Sequence, residues 1–423
     1  MKRNIKKIIF TICTLDNYLL ILLIFLVFIT GIFYSFYLGN NLRYPDERDY
    51  YHLANNIVFH RQYSLDGELS TACRPPGYPL FLSFFILLGA DIIYLRILNF
   101  IVLGLCIYLI FKILEKQSSR LSATVAAVLI VCYPVLFYTA GTLYPQTFGS
   151  FLFLLIIFLL MRNTNSNLIY AICGLLFGYL ILTILSFFFT LFVFTIWFYK
   201  RAIGVKKRSI IITIAIPLIL MGVWCLRNYV VLDGFVGLAT NSGGTLLLGN
   251  SENTTSNEGA TINVSKYLAE ARKLQLNEAT LDVYYRSKAI EWIVAHKTQA
   301  LKLFCLKFLN YFNYRNVLWT KTDESSVKDL VMFITYFPLL LLFACRILLI
   351  KAFRLSSFEA LLIILYFSNA LFYAIFITKI RYRLPFDFLL IAVVAIFISK
   401  LLINLGLIED ESKFSKATSV KNV

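Results

Sequence analysis

The chain has 423 residues, 59% of them hydrophobic and 16% aromatic, with a formal charge of +17 and a mean hydropathy of +0.76. Charged residues make up only 15%, too few to cover that much apolar surface in water, so a soluble globular protein is excluded. The positive charge is not a nucleic-acid footprint, because the cations mostly sit in short loops beside apolar runs, the pattern that orients membrane helices.

Ten apolar runs predict an all-α polytopic membrane protein, with spans near 17–38, 92–114, 121–141, 147–161, 168–183, 185–199, 209–226, 329–350, 357–377 and 384–404. A hydrocarbon core of about 30 Å asks for roughly 17–25 residues per helix. Helices are required because each segment must satisfy its own backbone. Lys2, Arg3, Lys6 and Lys7 place the N-terminus in the cytoplasm, and no small-residue cleavage pattern follows the first run. Lys112, Lys116 and Arg120 then fall inside, as do Lys200, Arg201, Lys206, Lys207 and Arg208, and Arg346, Lys351 and Arg354. Residues 168–199 are short for two spans. One helix there would send the 200–208 cluster outside, so a tight turn is expected near 183–186.

Residues 1–404 thus read as one transmembrane domain with external loops at about 39–91 and 227–328, and 405–423 as a polar cytoplasmic tail. The first loop opens with Pro45-Asp46-Glu47-Arg48-Asp49-Tyr50. Tyr50, Leu53, Ala54, Ile57 and Val58 then recur at helical spacing opposite His52, Asn55 and Asn56, which predicts an interfacial helix. Arg74-Pro75-Pro76-Gly77-Tyr78-Pro79 stands 28 residues after Asp46, followed by a short apolar helix over 79–90. The second loop is turn-rich over 241–259, helical over 264–276 and 280–295, and apolar again over 301–312.

Asp46 and Glu47 are the candidate catalytic acids, and Arg74, Arg381, Arg383 and Arg227 the candidate phosphate ligands. Arg381 and Arg383, with Lys379, sit in a short external loop where cations are disfavoured, and arginine suits phosphate. Asn241, Gly243, Gly244 and Asn250 form a candidate substrate loop, in which the glycines suit a backbone nest for an anion. Other readings stand beside these. Asp46 also fits a helix N-cap, and Glu47 and Asp49 fit acids that favour a helix start. Arg74 and Arg227 fit interfacial anchors, and the glycine pair fits an ordinary turn. His52, His60 and His296 lack ligand spacing, zinc-type cysteine spacing is absent, and no cofactor or metal is expected. Cys73 and Cys305 would face the oxidising side, with their pairing left open.

Five segments in order carry a resemblance: Pro45-Asp46-Glu47 with Tyr50 or Tyr51 and Ala54; Arg74-Pro75-Pro76-Gly77-Tyr78-Pro79; Trp224-Cys225-Leu226-Arg227-Asn228-Tyr229; Thr240-Asn241-Ser242-Gly243-Gly244 with Gly249-Asn250; and Arg381-Tyr382-Arg383-Leu384-Pro385. The chain resembles the GT-C membrane glycosyltransferases of the family 39-like group, with the protein O-mannosyltransferases and lipid A aminoarabinose transferases. The resemblance implies a GT-C-like bundle in the bacterial inner membrane with its active site facing the periplasm. It implies an inverting transfer of sugar from a polyprenyl-phosphate (undecaprenyl-phosphate) donor to a glycolipid, glycan or protein acceptor. Asp46 is then the implied base, with Arg74-Pro75-Pro76 near the donor phosphate, and Arg74, Arg381 and Arg383 are expected to meet beside a membrane-facing groove.

The chemistry agrees. A base must take the acceptor hydroxyl's proton, and a lipid phosphate leaves as a stable anion that cations can hold. One displacement inverts, whereas retention would need a second carboxylate as nucleophile. Three departures from the family's pattern stand out. Tyr144-Pro145-Gln146 stands where a glutamate is common, Ala72-Cys73 where aminoarabinose transferases have one, and 183–189 lacks an arginine often found there. Two other functions are weighed. A lipid-linked glycan polymerase or ligase would carry a large arginine-rich loop and no Asp-Glu in the first loop. A sugar-lipid translocator would carry charges midway through its spans.

Overall fold

The computed structural model describes residues 16–161, 166–201, 207–259, 261–315 and 325–407. Lys2, Arg3, Lys6, Lys7 and Lys206, and the expected tail beyond 407, lie outside them. In chain order the helices are α1 (Asp16–Leu38), α2 (Pro45–Phe59), α3 (Gly77–Leu87), α4 (Ile92–Gln117), α5 (Arg120–Val131), α6 (Pro134–Ala140), α7 (Pro145–Leu160), α8 (Asn167–Ile181) and α9 (Phe187–Arg201). There follow α10 (Lys207–Leu232), α11 (Ser242–Gly249), α12 (Ser265–Lys273), α13 (Glu278–Ala295), α14 (Lys297–Asn310), α15 (Ser326–Leu348), α16 (Ser357–Ile375) and α17 (Ile380–Asn404). The only β pairing among the described residues is one isolated bridge between Ser64 and Ser70.

Each of the ten apolar runs falls on helix. Six helices, α1, α4, α10, α15, α16 and α17, are individually long and apolar enough to cross a bilayer. The run at 121–141 is not one straight span but the pair α5 and α6, bent by 63°. Pro134 opens α6, and its ring cannot continue the preceding helix. Helices α7, α8 and α9 are apolar but shorter, at 16, 15 and 15 residues. The run at 168–199 is two helices, with α8 ending at Ile181 and α9 starting at Phe187. The chain is a multi-pass, all-α membrane protein.

The hub is α17. It is buried without interruption from Arg383 to Phe397, as a helix apolar on every side requires. It packs against α5, α7, α15 and α16. At the rim, Ile21 and Phe25 of α1 and Ile211, Ile219 and Leu226 of α10 are exposed, the composition of a lipid-facing surface. Gly174 and Gly178, one turn apart, bring α8 close to α10. A Cβ at Gly178 would lie 2.5 Å from Leu220 and 3.1 Å from the Pro217 backbone, so only glycine permits this approach. α2 packs on α3, both joined to the main core, and α11 packs on α13.

Candidate functional site

The site starts at the first turn of α2. Pro45 occupies its first position, where a missing N–H costs nothing. Tyr44 is the N-cap residue, so Asp46 is not, and its carboxylate is released for other partners. Glu47 does the capping. Its Oε2 accepts from the backbone N–H of Arg43 at 2.9 Å and of Tyr44 at 3.1 Å. Its Oε1 accepts from Leu143 N–H at 2.9 Å, with Arg96 3.9 Å away. The side chain is 1% exposed. This corrects Glu47 as a catalytic acid: its oxygens are engaged by three backbone donors, and it anchors α2 to the turn before α7.

Asp46 lies between two arginines. Arg74 Nη2 donates to Oδ1 at 2.6 Å, and Arg381 Nη1 donates to Oδ2. Arg74 also reaches Asp49, one turn further along α2, with Nε at 3.2 Å and Nη2 at 2.8 Å from the same oxygen. Burial alone would raise the Asp46 carboxyl, but the charges and hydrogen bonds of Arg381 and Arg74 outweigh it and hold the group below its usual range. Arg74 is held above its ordinary value against its own burial, by Tyr50, Asp46 and Asp49. The side chains of Asp46, Arg74 and Arg381 stay 21%, 19% and 34% exposed, open enough to meet a ligand.

Each arginine is delivered by local structure. Tyr63 donates its hydroxyl to the Arg74 carbonyl at 2.8 Å. Gly77 N–H donates to Leu182 O at 2.8 Å, and Tyr179 donates to Gly77 O at 2.8 Å. A Cβ on Gly77 would collide with Thr183 and the Leu182 carbonyl. The turn between α8 and α9 is therefore the seat of the Pro-Pro-Gly element. Arg381 stands in the first turn of α17, its guanidinium 5.1 Å from the Tyr382 ring centroid and 5.4 Å from that of Tyr144, a cation–π setting.

Arg383 does not join them, which corrects the expected three-arginine cluster. Two residues on a helix point about 200° apart, so Arg383 turns inward where Arg381 turns to Asp46. It is fully buried. It bonds Asp387 at 3.2 Å, Tyr311 O at 3.2 Å, Tyr133 hydroxyl at 3.3 Å and Asn313 O, and lies 3.6 Å over the Tyr336 ring. It locks the core instead of facing a ligand.

Arg227 is likewise a clamp. Its Nη1 donates to Thr71 O at 2.7 Å, and its guanidinium lies 4.9 Å over Trp224 and 5.4 Å over Tyr63. It steadies the loop three residues before Arg74 and leaves the carboxylates alone. Glu278 joins both loops there, accepting from Thr71 Oγ1 at 2.9 Å, Ala72 N–H at 2.9 Å and Thr240 Oγ1 at 2.5 Å.

The glycine loop is scaffold too. Gly243 N–H donates to the Asp282 carboxylate at 2.5 Å, and a Cβ there would strike the Asp282 carbonyl. An acid already holds the N–H that an anion nest would need. Gly244 packs on Tyr285. Asn241 caps nothing with its side chain, and its carbonyl accepts from Thr245. Asn250 Nδ2 donates to Ile375 O at 2.9 Å. Gln146 is 7% exposed, and its Oε1 has no partner among the described residues. Cys73 and Cys305 are free thiols, and no group of three potential metal ligands occurs among the described residues.

Sequence reasoning read Asp49 as an acid that favours the helix start and did not pair it with Arg74, although its spacing of three from Asp46 puts both acids on one helix face. Tyr144 had no sequence signal of its own, and Tyr382 stood inside the Arg381-Tyr382-Arg383 segment with no role assigned to it.

No protein-family model matches the chain, and no curated protein matches it. Among solved structures, it is similar to the crystal structure of ArnT from Cupriavidus metallidurans in the apo state, with a TM-score of 0.40, 13% identity, and coverage of 89% of this chain and 77% of that one. It is also similar to ArnT from Cupriavidus metallidurans bound to undecaprenyl phosphate, with a TM-score of 0.41, 11% identity, and coverage of 91% and 78%. Likeness at that level fixes no chemistry, which rests on the side chains described above.

Proposed function

We propose that this chain is an inverting glycosyltransferase that moves a sugar from a polyprenyl-phosphate donor to a glycolipid, glycan or protein acceptor. In this reading the Asp46 end of the bundle faces the periplasm. One observation carries the reading: an ionised carboxylate held between two arginines, partly exposed, on a helix beside an apolar bundle. The acceptor oxygen attacks the anomeric carbon while Asp46 removes its proton. The bond from that carbon to the phosphate oxygen breaks, and the lipid phosphate departs as an anion held by Arg74 and Arg381. Before the donor arrives, these arginines occupy both Asp46 oxygens. An incoming phosphate draws them away and frees the base, so donor binding precedes base action. Asp49 keeps Arg74 oriented throughout.

The test is transfer by the purified full chain, followed as polyprenyl phosphate release across a panel of polyprenyl-phosphate sugars. Asp46→Asn keeps the side-chain size, and Glu47 still caps α2. Transfer should fall by about 10² or more, the usual contribution of a positioned base, with the fold retained. Wild-type rates in Asp46→Asn would refute the mechanism.

A further inference from the structure

Among the described residues the second loop supplies no side chain to the Asp46 cluster, yet it grips the segment leading into Arg381. α16 ends at Ile375 and α17 begins at Ile380, so residues 376–379 are the whole link. Lys307 of α14 donates from Nζ to the carbonyls of Gly249 at 2.9 Å, Ile375 at 3.2 Å and Phe376 at 2.8 Å. Asn250 holds Ile375 O, and Asn310 donates to Thr378 Oγ1 at 2.9 Å. Gly249 lies so tightly on Phe376 that any Cβ would overlap its carbonyl, and a Cβ on Gly259 would come within 2.6 Å of Lys379 Cε.

Lys307 is 1% exposed and makes no ion pair among the described residues. One acceptor, Ile375 O, is the last carbonyl of α16 and another, Phe376 O, belongs to its C-cap residue, at the helix end where carbonyls lack helical partners and carry the negative end of the dipole. An ammonium has three N–H donors, but a neutral amine has two. The full set of contacts therefore exists only while Lys307 is charged.

We propose that Lys307 is a positioning residue for Arg381: its ammonium locks the 375–379 link and so sets how the Arg381 guanidinium meets Asp46 and the donor phosphate. This rests on the reading of Arg381 as a phosphate ligand. Burial alone pushes the Lys307 ammonium down, to about 7, so it titrates near neutrality. The charged groups around the link are Lys379 on the link itself, Glu258 of the second loop and Arg381 of α17. Above pH 7 one bond of the three is lost, and the link loosens.

The experiment measures undecaprenyl phosphate binding to the full chain at pH 6 and pH 8.5, in wild type, Lys307→Met and Arg381→Ala. Wild type and variant are compared at each pH, so titration of the lipid phosphate cancels. Lys307→Met should bind about tenfold more weakly than wild type at pH 6, and the gap should narrow at pH 8.5, where the neutral amine keeps two of its three bonds. Equal binding at pH 6 overturns the proposal, and so does a tenfold gap that persists at pH 8.5, which would mark a packing role independent of charge. If Lys307→Met does not fold, Lys307→Gln, with its two donors, takes its place with the same expectations. If Arg381→Ala binds as wild type does, the phosphate reading of Arg381 fails. If Arg381→Ala weakens binding while Lys307 variants do not, only the positioning role fails.

Discussion

Replacing Asp49 by asparagine separates orientation of the cation from the chemistry of the base. The substitution keeps the size of the side chain but removes the charge that receives Arg74 Nε at 3.2 Å and Nη2 at 2.8 Å. A hydrogen bond between charged partners is worth about 1.5–3 kcal/mol. With 31% of the Asp49 side chain exposed, solvent screening reduces this to about 1 kcal/mol. Arg74 keeps Asp46 as a partner but loses its second tether, so the donor phosphate meets a cation of wider spread. Transfer should fall about five- to tenfold, mostly as a raised KM for the donor, since each 1.36 kcal/mol is tenfold. Asp46→Asn should instead lower kcat by about 10². The assay is steady-state transfer with the donor varied at saturating acceptor. A double-mutant cycle between Asp49→Asn and Arg74→Ala should be non-additive by about 1 kcal/mol, because the two side chains touch. Wild-type kinetics in Asp49→Asn would refute the reasoning, and so would a kcat loss matching that of Asp46→Asn, which would make Asp49 the base.

Glu47→Gln should act on stability, because the amide presents an N–H₂ where three backbone N–H groups converge. A loss of about 1–3 kcal/mol is expected for mismatched buried donors, read as a lower Tm in detergent with transfer per folded molecule little changed. Arg383→Ala strands Asp387 in the core and should cost about 3–5 kcal/mol, so folded protein should be scarce by size-exclusion chromatography. A variant that folds well yet fails to bind donor would return Arg383 to the site. For pH, Asp46 has a folded value below the unfolded 3.8. Its ion pairs therefore stabilise fully above about pH 3.8, and that stabilisation is lost as pH falls through the lower folded value. Asp46→Asn should lower the Tm at neutral pH and so flatten this acid limb of the profile.

The helices were legible because their signal is local. An apolar run long enough for a bilayer is a helix wherever it packs, so all ten runs landed on helix. The tight turn at 183–186 was legible from loop charge alone. The bend at Pro134 was passed over inside a continuous apolar run, although proline marks such breaks. The acids and arginines of α2 and the Pro-Pro-Gly turn were legible as motifs, and Asp46, Arg74 and Arg381 do converge.

Sequence by itself determined the class of protein and which residue types gather at one end of it, since hydropathy and short motifs act over a few residues. Roles within the motifs were decided by tertiary structure. Asp46 and Glu47 are adjacent, but one faces Arg74 and Arg381 and the other the Leu143 backbone. Arg381 and Arg383 are two residues apart, but one faces Asp46 and the other the core. A helix advances about 100° per residue, so neighbours in a motif look in different directions. Which partners each one meets depends on helices tens to hundreds of residues away. Lys307 had no motif at all, because its partners are backbone carbonyls, which every residue carries and only the packing of α14 against α16 brings within reach.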